Sequence, residues 1–449
     1  MLIYAGITEC GFNNPYGNEG TWINHGLCLI SAVLKKDGYS VDLIDLRRLK
    51  GWEDFGMVVR RKDFDIAGIT MMSVDYNPVM KCIDIIKRIK PNVKIMVGGP
   101  HASILPQELT INENIDYIFI GEAEISIIEL IQKIEDERGN NKIVYGKRPD
   151  LDDLPFADRD LFPLLEEPFV PFLKRPFVTI VAGRGCIYNC NYCQPAERMV
   201  FGDGVRRRSV GNVIEEVKYL YKKFNFNSMM IHDDCLTEDK EWVMEFCKKY
   251  RKSGFKQPFV CQSRPDLICK NRDMVKSLRD AGLALFIIGF ESGSQRILNF
   301  LRKGCAVEQN LEAAEICHKF GIKIWANYML GIPTETKEEQ RETVDMIKRI
   351  KPYHCSPAYY TPHPGSDLFK FCIENNLSLI NDHDGYRRNN YEPKIKGIDY
   401  DYLKKLLLES IAVGGDRNPL LTRVKPIIPI SFKKLLKKSF LNSFVKKYF

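Results

Sequence analysis

The 449 residues contain no apolar run approaching the roughly 18 needed to cross a bilayer. The first residues, MLIYAG, lack the basic region and the long apolar stretch of a secretory signal. The expectation is a cytoplasmic chain, neither secreted nor membrane-spanning. Excess charge is also missing from most of the sequence. The formal net charge is +8, yet residues 417–449 hold nine Lys and Arg and no acid, which leaves residues 1–416 one charge below neutral. A neutral body offers no phosphate-tracking groove, so nucleic acid is excluded as a partner. There is no repeat of solenoid period either.

What is present is an ordinary globular composition. Apolar residues make up 45% and charged residues 28%, with enough chain for two or three domains. Fourteen cysteines in a chain of this size are free thiols or metal ligands rather than a disulfide framework.

In the first third, apolar runs at 2–6, 41–45, 66–70, 94–98 and 117–120 alternate with helix-length periodic segments near 24–36, 78–90 and 122–137. That order predicts an α/β fold with a doubly wound, flavodoxin- or Rossmann-like parallel sheet over residues 1–145. Its ligand-facing loops are expected at the carboxyl ends of the strands, at 8–20, 71–76, 98–103 and 121–124. Six prolines between positions 149 and 176 preclude a regular helix, and residues 146–176 read as an ordered linker. Alternation resumes over 177–361, with strands expected at 177–182, 228–232, 259–262, 285–290, 322–328 and 357–360. Six strand–helix units predict a partial (β/α)6 barrel with its site at the carboxyl ends of the strands. Residues 362–416 read as a C-terminal extension and 417–449 as a basic amphipathic tail.

The segment Gly183-Arg-Gly-Cys186-Ile-Tyr-Asn-Cys190-Asn-Tyr-Cys193 follows the first barrel strand. Its C-x3-C-x2-C spacing lets three thiolates hold three irons of a [4Fe–4S] cube, with the fourth iron open to an exogenous ligand because no further cysteine stands nearby. A zinc site completed by His232, and three metal-free thiols, are the competing readings. The segment resembles the radical S-adenosylmethionine (SAM) superfamily, whose hallmark is this spacing after the first barrel strand. The resemblance implies that SAM chelates the open iron. An electron from the cluster then cleaves it to a 5′-deoxyadenosyl radical that takes hydrogen from unactivated carbon.

Further contacts follow from the resemblance. Tyr192 matches the aromatic residue near the adenine. Arg264, in Gln262-Ser-Arg-Pro-Asp266, is suited to the SAM carboxylate. Glu291 and Ser292 match a Gly-x-Glu-Ser segment, with Glu291 receiving the SAM ammonium. Gly331 and Pro333 match the adenine-side Gly-x-Pro. His232-Asp233-Asp234 brings paired carboxylates to SAM or substrate. Loop packing, helix capping and structural ion pairs are the alternatives for these residues.

Val97-Gly98-Gly99-Pro-His101-Ala-Ser103 and the later Gly121-Glu122-Ala-Glu124 resemble the cobalamin-binding domain of cobalamin-dependent radical SAM enzymes. This resemblance covers about residues 1–375 and assigns Ser73, Gly98, Gly99, Gly121 and Glu122 to cobalamin. The chain lacks Asp-x-His-x-x-Gly, whose His ligates cobalt in mutases. Cobalamin is therefore expected base-off, with no His ligand. A sheet that no longer binds a cofactor is the alternative.

Two reactions fit these parts. One is methyl transfer to an unactivated carbon through methylcobalamin, favoured here; the other is ring closure or rearrangement without methyl transfer. Motifs shared by both assign no catalytic side chain. A reading of another class is an iron–sulfur or cobalamin-binding protein that does not cleave SAM. The enzyme readings imply an external electron donor and an anaerobic or protected cytoplasm. In the tail, Lys433, Lys434, Lys437, Lys438, Lys446 and Lys447 alternate with Phe432, Leu435, Leu436, Phe440 and Phe444, a pattern suited to an anionic membrane surface. The expected substrate is a small molecule, lipid-like or membrane-delivered, with peripheral contact at the inner membrane surface. A self-packed or solvated helix is the competing reading of the tail. Tyr359, Tyr360 and His363 are candidates for substrate contact.

Overall fold

Short apolar runs in the first third form the strands of a parallel sheet. The computed structural model describes residues 1–13, 23–136, 141–162, 166–387 and 392–415. The basic tail at 417–449 and most of the first loop expected at 8–20 lie outside the described residues. Strands β1 (Leu2–Tyr4), β2 (Leu43–Asp45), β3 (Ile66–Thr70), β4 (Lys94–Gly98), β5 (Tyr117–Ile120) and β6 (Ile143–Tyr145) make one all-parallel sheet in the order β2-β1-β3-β4-β5-β6. The reversal at β1 places helices on both faces, as the alternation predicts. Helix Tyr76–Ile89 shows why such segments fold on the sheet: Val79, Cys82, Ile83 and Ile86 recur at helical spacing and are buried. They join Ile3, Phe55, Ile69, Ile95, Val97 and Ile118 in one core.

Among the elements that were not expected are an edge strand and a helix of the first domain. Strand β6 pairs with β5 at the sheet edge, but its residues are half-buried and Tyr145 is exposed, so no apolar run marks it. Helix Trp52–Arg61 buries only Phe55, Gly56 and Val59.

The second sheet comprises β7 (Phe177–Ile180), β10 (Ser228–Ile231), β11 (Phe259–Ser263), β12 (Leu283–Glu291), β13 (Lys323–Leu330) and β14 (His354–Tyr359). All are parallel, in the order β14-β13-β12-β11-β10-β7. Sequential parallel strands with intervening helices are a six-unit open barrel, as expected. Between β7 and β10 a small antiparallel hairpin pairs β8 (Gly183–Arg184) with β9 (Arg206–Arg207) and frames the cysteine loop. In the extension, helix Tyr400–Ile411 packs Leu403, Leu406 and Leu407 against Leu330, Val344 and Tyr359. No described helix is long and apolar enough to cross a membrane.

The proline-rich segment is clipped to both sides. Asp158 accepts from Ser31 and Lys35 of helix His25–Lys36, each at 2.7 Å. The next residue, Arg159, turns the other way. It donates to the Thr179 carbonyl of β7 at 2.7 Å and pairs with Glu216 at 3.2 Å and Glu166 at 3.4 Å, all buried. Removing one member of such a buried network strands the others. Arg159→Ala should lower stability by about 3–5 kcal/mol, read as a fall in the thermal unfolding midpoint. A midpoint equal to wild type would contradict this account.

Candidate active site

The carboxyl ends of the second sheet open on a cavity of about 430 Å³. Cys186, Cys190 and Cys193 line one wall of it. The loop that carries them leaves β8 and is closed by short backbone bonds, Cys193 N–H to the Cys190 carbonyl at 3.1 Å and Gln194 N–H to the same carbonyl at 2.8 Å. Asn191 fixes it to the barrel: its backbone N–H donates to the Leu301 carbonyl, its side-chain amide donates to the Phe300 carbonyl, and its own backbone carbonyl accepts from the Leu368 N–H at 2.9 Å. Cys190 is buried, Cys186 half-buried and Cys193 exposed. Burial pushes the Cys186 thiol up to about 12, so its thiolate form calls for a cation. A fourth thiol, Cys235, also lines the cavity, with its Sγ 3.9 Å from Thr237 Oγ1. The sequence reading placed no further cysteine near the three; residue 235 stands 42 positions past Cys193, and only the fold brings it there.

Opposite the thiols, Glu291 ends β12. Its Oε1 accepts from Tyr192 Oη at 3.0 Å and from Lys303 Nζ at 2.9 Å. Glu291 holds a left-handed backbone, φ 64°, a conformation costly for a side-chain-bearing residue and kept only where its surroundings demand it. Burial opposes the charge on Lys303, but Glu291 and then Cys190 outweigh it and raise the ammonium pKa. Burial, then Glu291, hold the Tyr192 phenol well above its usual value, so it stays a donor. Arg264, just past β11, donates Nε to Asp266 at 3.0 Å, lies 3.5 Å over the Tyr188 ring, and points Nη1 at Cys190 Sγ, 3.7 Å away.

The fold thus brings to one cavity the three cysteines, Tyr192, Arg264, Asp234 and Glu291, together with the substrate candidates Tyr359, Tyr360 and His363. It places three others behind the wall. Ser292 is buried against Thr343 Oγ1 at 3.1 Å. The Gly331 N–H donates to Glu335 at 2.7 Å, and Pro333 is buried in the same turn. Of the paired aspartates, Asp233 is committed to the Ala182 N–H and Arg207, at 2.7 and 2.8 Å. Asp234 reaches the cavity and meets Glu197; burial, then Asp234, push the Glu197 carboxyl up to about 8. Sequence reasoning missed Lys303 and Glu197, each of which looks like a charge at the end of a helix.

The first sheet presents its own carboxyl edge to the cysteine loop. Gly98 and Gly99 end β4 and Gly121 ends β5. A Cβ at Gly99, φ 99°, would fall 2.8 Å from Thr70 Oγ1, so only bare backbone fits there. Ser103 Oγ ties the two loops together, accepting from the Gly121 N–H at 2.9 Å and donating to the Gly99 carbonyl at 3.1 Å. Ser73 Oγ lies 3.0 Å from His101 Nδ1. Glu122 turns to the hairpin, where it pairs with Arg184 and Arg206, while Glu124 takes the other Arg184 nitrogen at 2.6 Å. The donor set suits the groups that the motifs imply. Three clustered thiols suit an iron–sulfur cluster with an open iron. A carboxylate beside two cations suits an amino acid terminus. At the first sheet's edge the glycines let the chain pack closely on itself, against Phe119 at Gly98, Thr70 and Met71 at Gly99, and Val200 at Gly121.

The Glu291–Lys303 pair gives a test that needs no cofactor. Lys303→Met leaves a buried carboxylate uncompensated and should cost about 3–5 kcal/mol. Combining it with Glu291→Gln should restore more than half, because the stranded charge is gone. Thermal unfolding of the two single variants and the double variant measures the coupling; additive losses would mean that the pair is not coupled.

Comparison with known proteins agrees with this geometry. A family model described as "B12 binding domain" matches residues 18–131, and one described as "Radical SAM superfamily" matches 180–347. An uncharacterized methyltransferase of Pyrococcus horikoshii is 28% identical over 91% of this chain and 90% of its own. An anaerobic magnesium-protoporphyrin IX monomethyl ester cyclase of Rubrivivax gelatinosus is 27% identical over 78% of this chain and 66% of its own. The solved structure of the radical SAM methyltransferase TsrM from Kitasatospora setae, with cobalamin and a [4Fe–4S] cluster bound, superposes with a TM-score of 0.66 at 16% identity, covering 91% of this chain and 90% of that one. The chain belongs to the cobalamin-dependent radical SAM family, a B12-binding domain followed by a radical SAM domain.

Proposed function

We propose that this cobalamin-dependent radical SAM enzyme transfers a methyl group to an unactivated carbon of a small-molecule or lipid-like substrate. The observation that carries the proposal is the meeting of three thiols with the Glu291–Lys303–Tyr192 cluster in one cavity, beside the glycine loops of the first sheet. In this reading residues 1–145 carry cobalamin, and residues 177–361 carry the cluster and SAM.

Cys186, Cys190 and Cys193 would hold the cluster. Glu291 would receive the SAM ammonium, with Lys303 and Arg264 on hand for its carboxylate. Gly98, Gly99 and Gly121 would leave room for the cobalamin tail. When bound, these groups supply a one-electron reductant, a 5′-deoxyadenosyl radical able to take hydrogen from carbon, and a carrier for the methyl group. The chain's own task is to orient and to exclude water. Glu291 and Lys303 are held rigid by Tyr192, so an incoming zwitterion meets fixed charges that need no reorganisation. Ile287, Tyr328, Met329 and Ala358 form an apolar wall that keeps solvent from a reactive carbon radical. Electrons must come from an external donor.

Support for methyl transfer comes from the methyltransferase relative, which matches over more of both chains than the cyclase does. Ring formation is the second reading, favoured by the cyclase relative. The two differ in the product, which is one methyl group heavier only in the first.

The test is to express the full chain with cobalamin supplied, purify it without oxygen, and measure metals and SAM cleavage. About four irons per chain are expected, with one cobalt. Cys190→Ala should lose the iron and 5′-deoxyadenosine formation together. Cleavage at the wild-type rate in that variant would overturn the cluster assignment, and iron without cobalt would overturn methyl transfer. The composition of residues 417–449 supports a membrane-delivered substrate. Deleting 420–449 should abolish binding to anionic vesicles, and unchanged binding would remove that part of the proposal.

A further inference from the structure

Away from the cavity, three ligating side chains from three segments converge. His101 lies in the helical turn Pro100–Ile104 after β4, and Glu108 in the next turn, Pro106–Thr110. His383 lies in the extension, in the 3-10 turn His383–Tyr386. Glu108 Oε2 is 2.9 Å from His383 Nε2 and 3.5 Å from His101 Nε2, and the ligand atoms of all three fall within 4.8 Å of one another. None of the three lines the cysteine cavity.

The His101 imidazole is the telling group. Its side chain is 0% exposed. Nδ1 is satisfied by Ser73 Oγ at 3.0 Å, which leaves Nε2 aimed into the cluster. That Nε2 is buried and has no hydrogen-bond partner among the described residues. Such an atom is costly unless something fills its lone pair or takes its proton. An imidazole oriented through its other nitrogen is the usual arrangement of a metal-binding histidine.

The surroundings hold the set in place. Tyr76 stacks on His383, ring centroids 4.0 Å apart at 12°, and meets His101 edge-on at 5.3 Å. Asn77 donates to Asp382 at 2.8 Å and to Asp384 at 3.2 Å, which fastens the turn carrying His383 to the first domain. Glu108 and His383 keep side-chain exposures of 35% and 24%, which leaves a path for an ion from solvent.

We propose that His101, Glu108 and His383 bind a divalent first-row cation, zinc before others, that fastens the extension to the first sheet. Two imidazoles and one carboxylate suit Zn²⁺ or Fe²⁺, whereas Ca²⁺ and Mg²⁺ prefer all-oxygen sets. Bonds of about 2.0–2.1 Å put tetrahedral ligands roughly 3.4 Å apart, near the spacings seen. Water takes the remaining position. The site has a consequence for the cavity. Tyr386, in the same turn as His383, lies 6.3 Å from the ring of His363, which lines the cavity. The cation therefore steadies the extension where it backs the substrate wall. The proposal is independent of the methyl-transfer reading.

The test uses the full chain with its iron–sulfur cluster loaded, washed with a mild chelator, and analysed for zinc and iron together. The cysteine loop can itself take zinc, so a Cys186→Ala, Cys190→Ala, Cys193→Ala variant is titrated with Zn²⁺ against a chromogenic chelator. About one zinc per chain is expected in both. His383→Ala and Glu108→Gln should each lose it while the loaded chain keeps its iron. Ser73→Ala should weaken zinc about tenfold, through the freed imidazole. Unfolding midpoints measured without zinc separate loss of the site from loss of the fold. No zinc uptake by the triple-cysteine variant, or equal uptake by His383→Ala and Glu108→Gln, overturns the proposal. Failure of iron loading alone would count against the cluster and leave this site standing.

Discussion

Two carboxylates on one loop face two guanidinium groups on one hairpin, and the relation between the sheets depends on them. Glu122 and Glu124 follow β5; Arg184 and Arg206 belong to β8 and β9. The carboxylate side chains are 3% and 5% exposed and that of Arg184 is 11%, so these pairs work in a low-dielectric setting. Arg184 is also two residues before Cys186. The clamp therefore fixes the cysteine loop relative to the glycine loops that end β4 and β5. Helix Ala196–Phe201, which follows Cys193, adds to this register, because a Cβ at Gly121 would stand 3.6 Å from the Val200 carbonyl.

The same logic of paired burial runs through the rest of the molecule. Arg159 bridges Glu166 and Glu216 below the barrel, and Lys303 answers Glu291 inside it. Arg159 reaches Glu216, 57 residues away, whereas Lys303 and Glu291 are 12 residues apart. Buried pairs of this kind add little net stability over apolar contacts, but they penalise any arrangement that leaves one partner alone. They therefore specify which surfaces meet, while the apolar cores supply most of the driving force.

The sequence showed the strands well where burial on both faces leaves a continuous apolar run, as in β4, β5 and β10. It hid β6, whose edge position leaves Tyr145 in solvent. The cysteine spacing was legible because a cluster needs three ligands on one short loop, a local requirement. Glu122 was read toward cobalamin from its place after Gly121; its actual partners, Arg184 and Arg206, lie 62 and 84 residues away. Lys303 escaped notice although its partner Glu291 is only 12 residues away. In the sequence it is one more charge after Leu301 and Arg302, and only the fold reveals that it is buried against Glu291. Ser292, Gly331 and Pro333 were expected to contact the cofactor and stand behind the cavity wall, Ser292 against Thr343 and the Gly331 turn against Glu335. Local chemistry was readable; long-range pairing was not.

The clamp between the sheets also sorts the effects of solvent. Salt screens charges in water over roughly 8–10 Å at ordinary ionic strength, but screens buried ones much less. Surface pairs such as Lys337–Asp399, with side chains 57% and 42% exposed, weaken as salt rises. The pairs of Arg184 with Glu122 and Glu124 are shielded from that change. Ionic strength thus acts on the outer skin of the molecule and on what docks there, while the distance between its two reaction-bearing edges stays set from within.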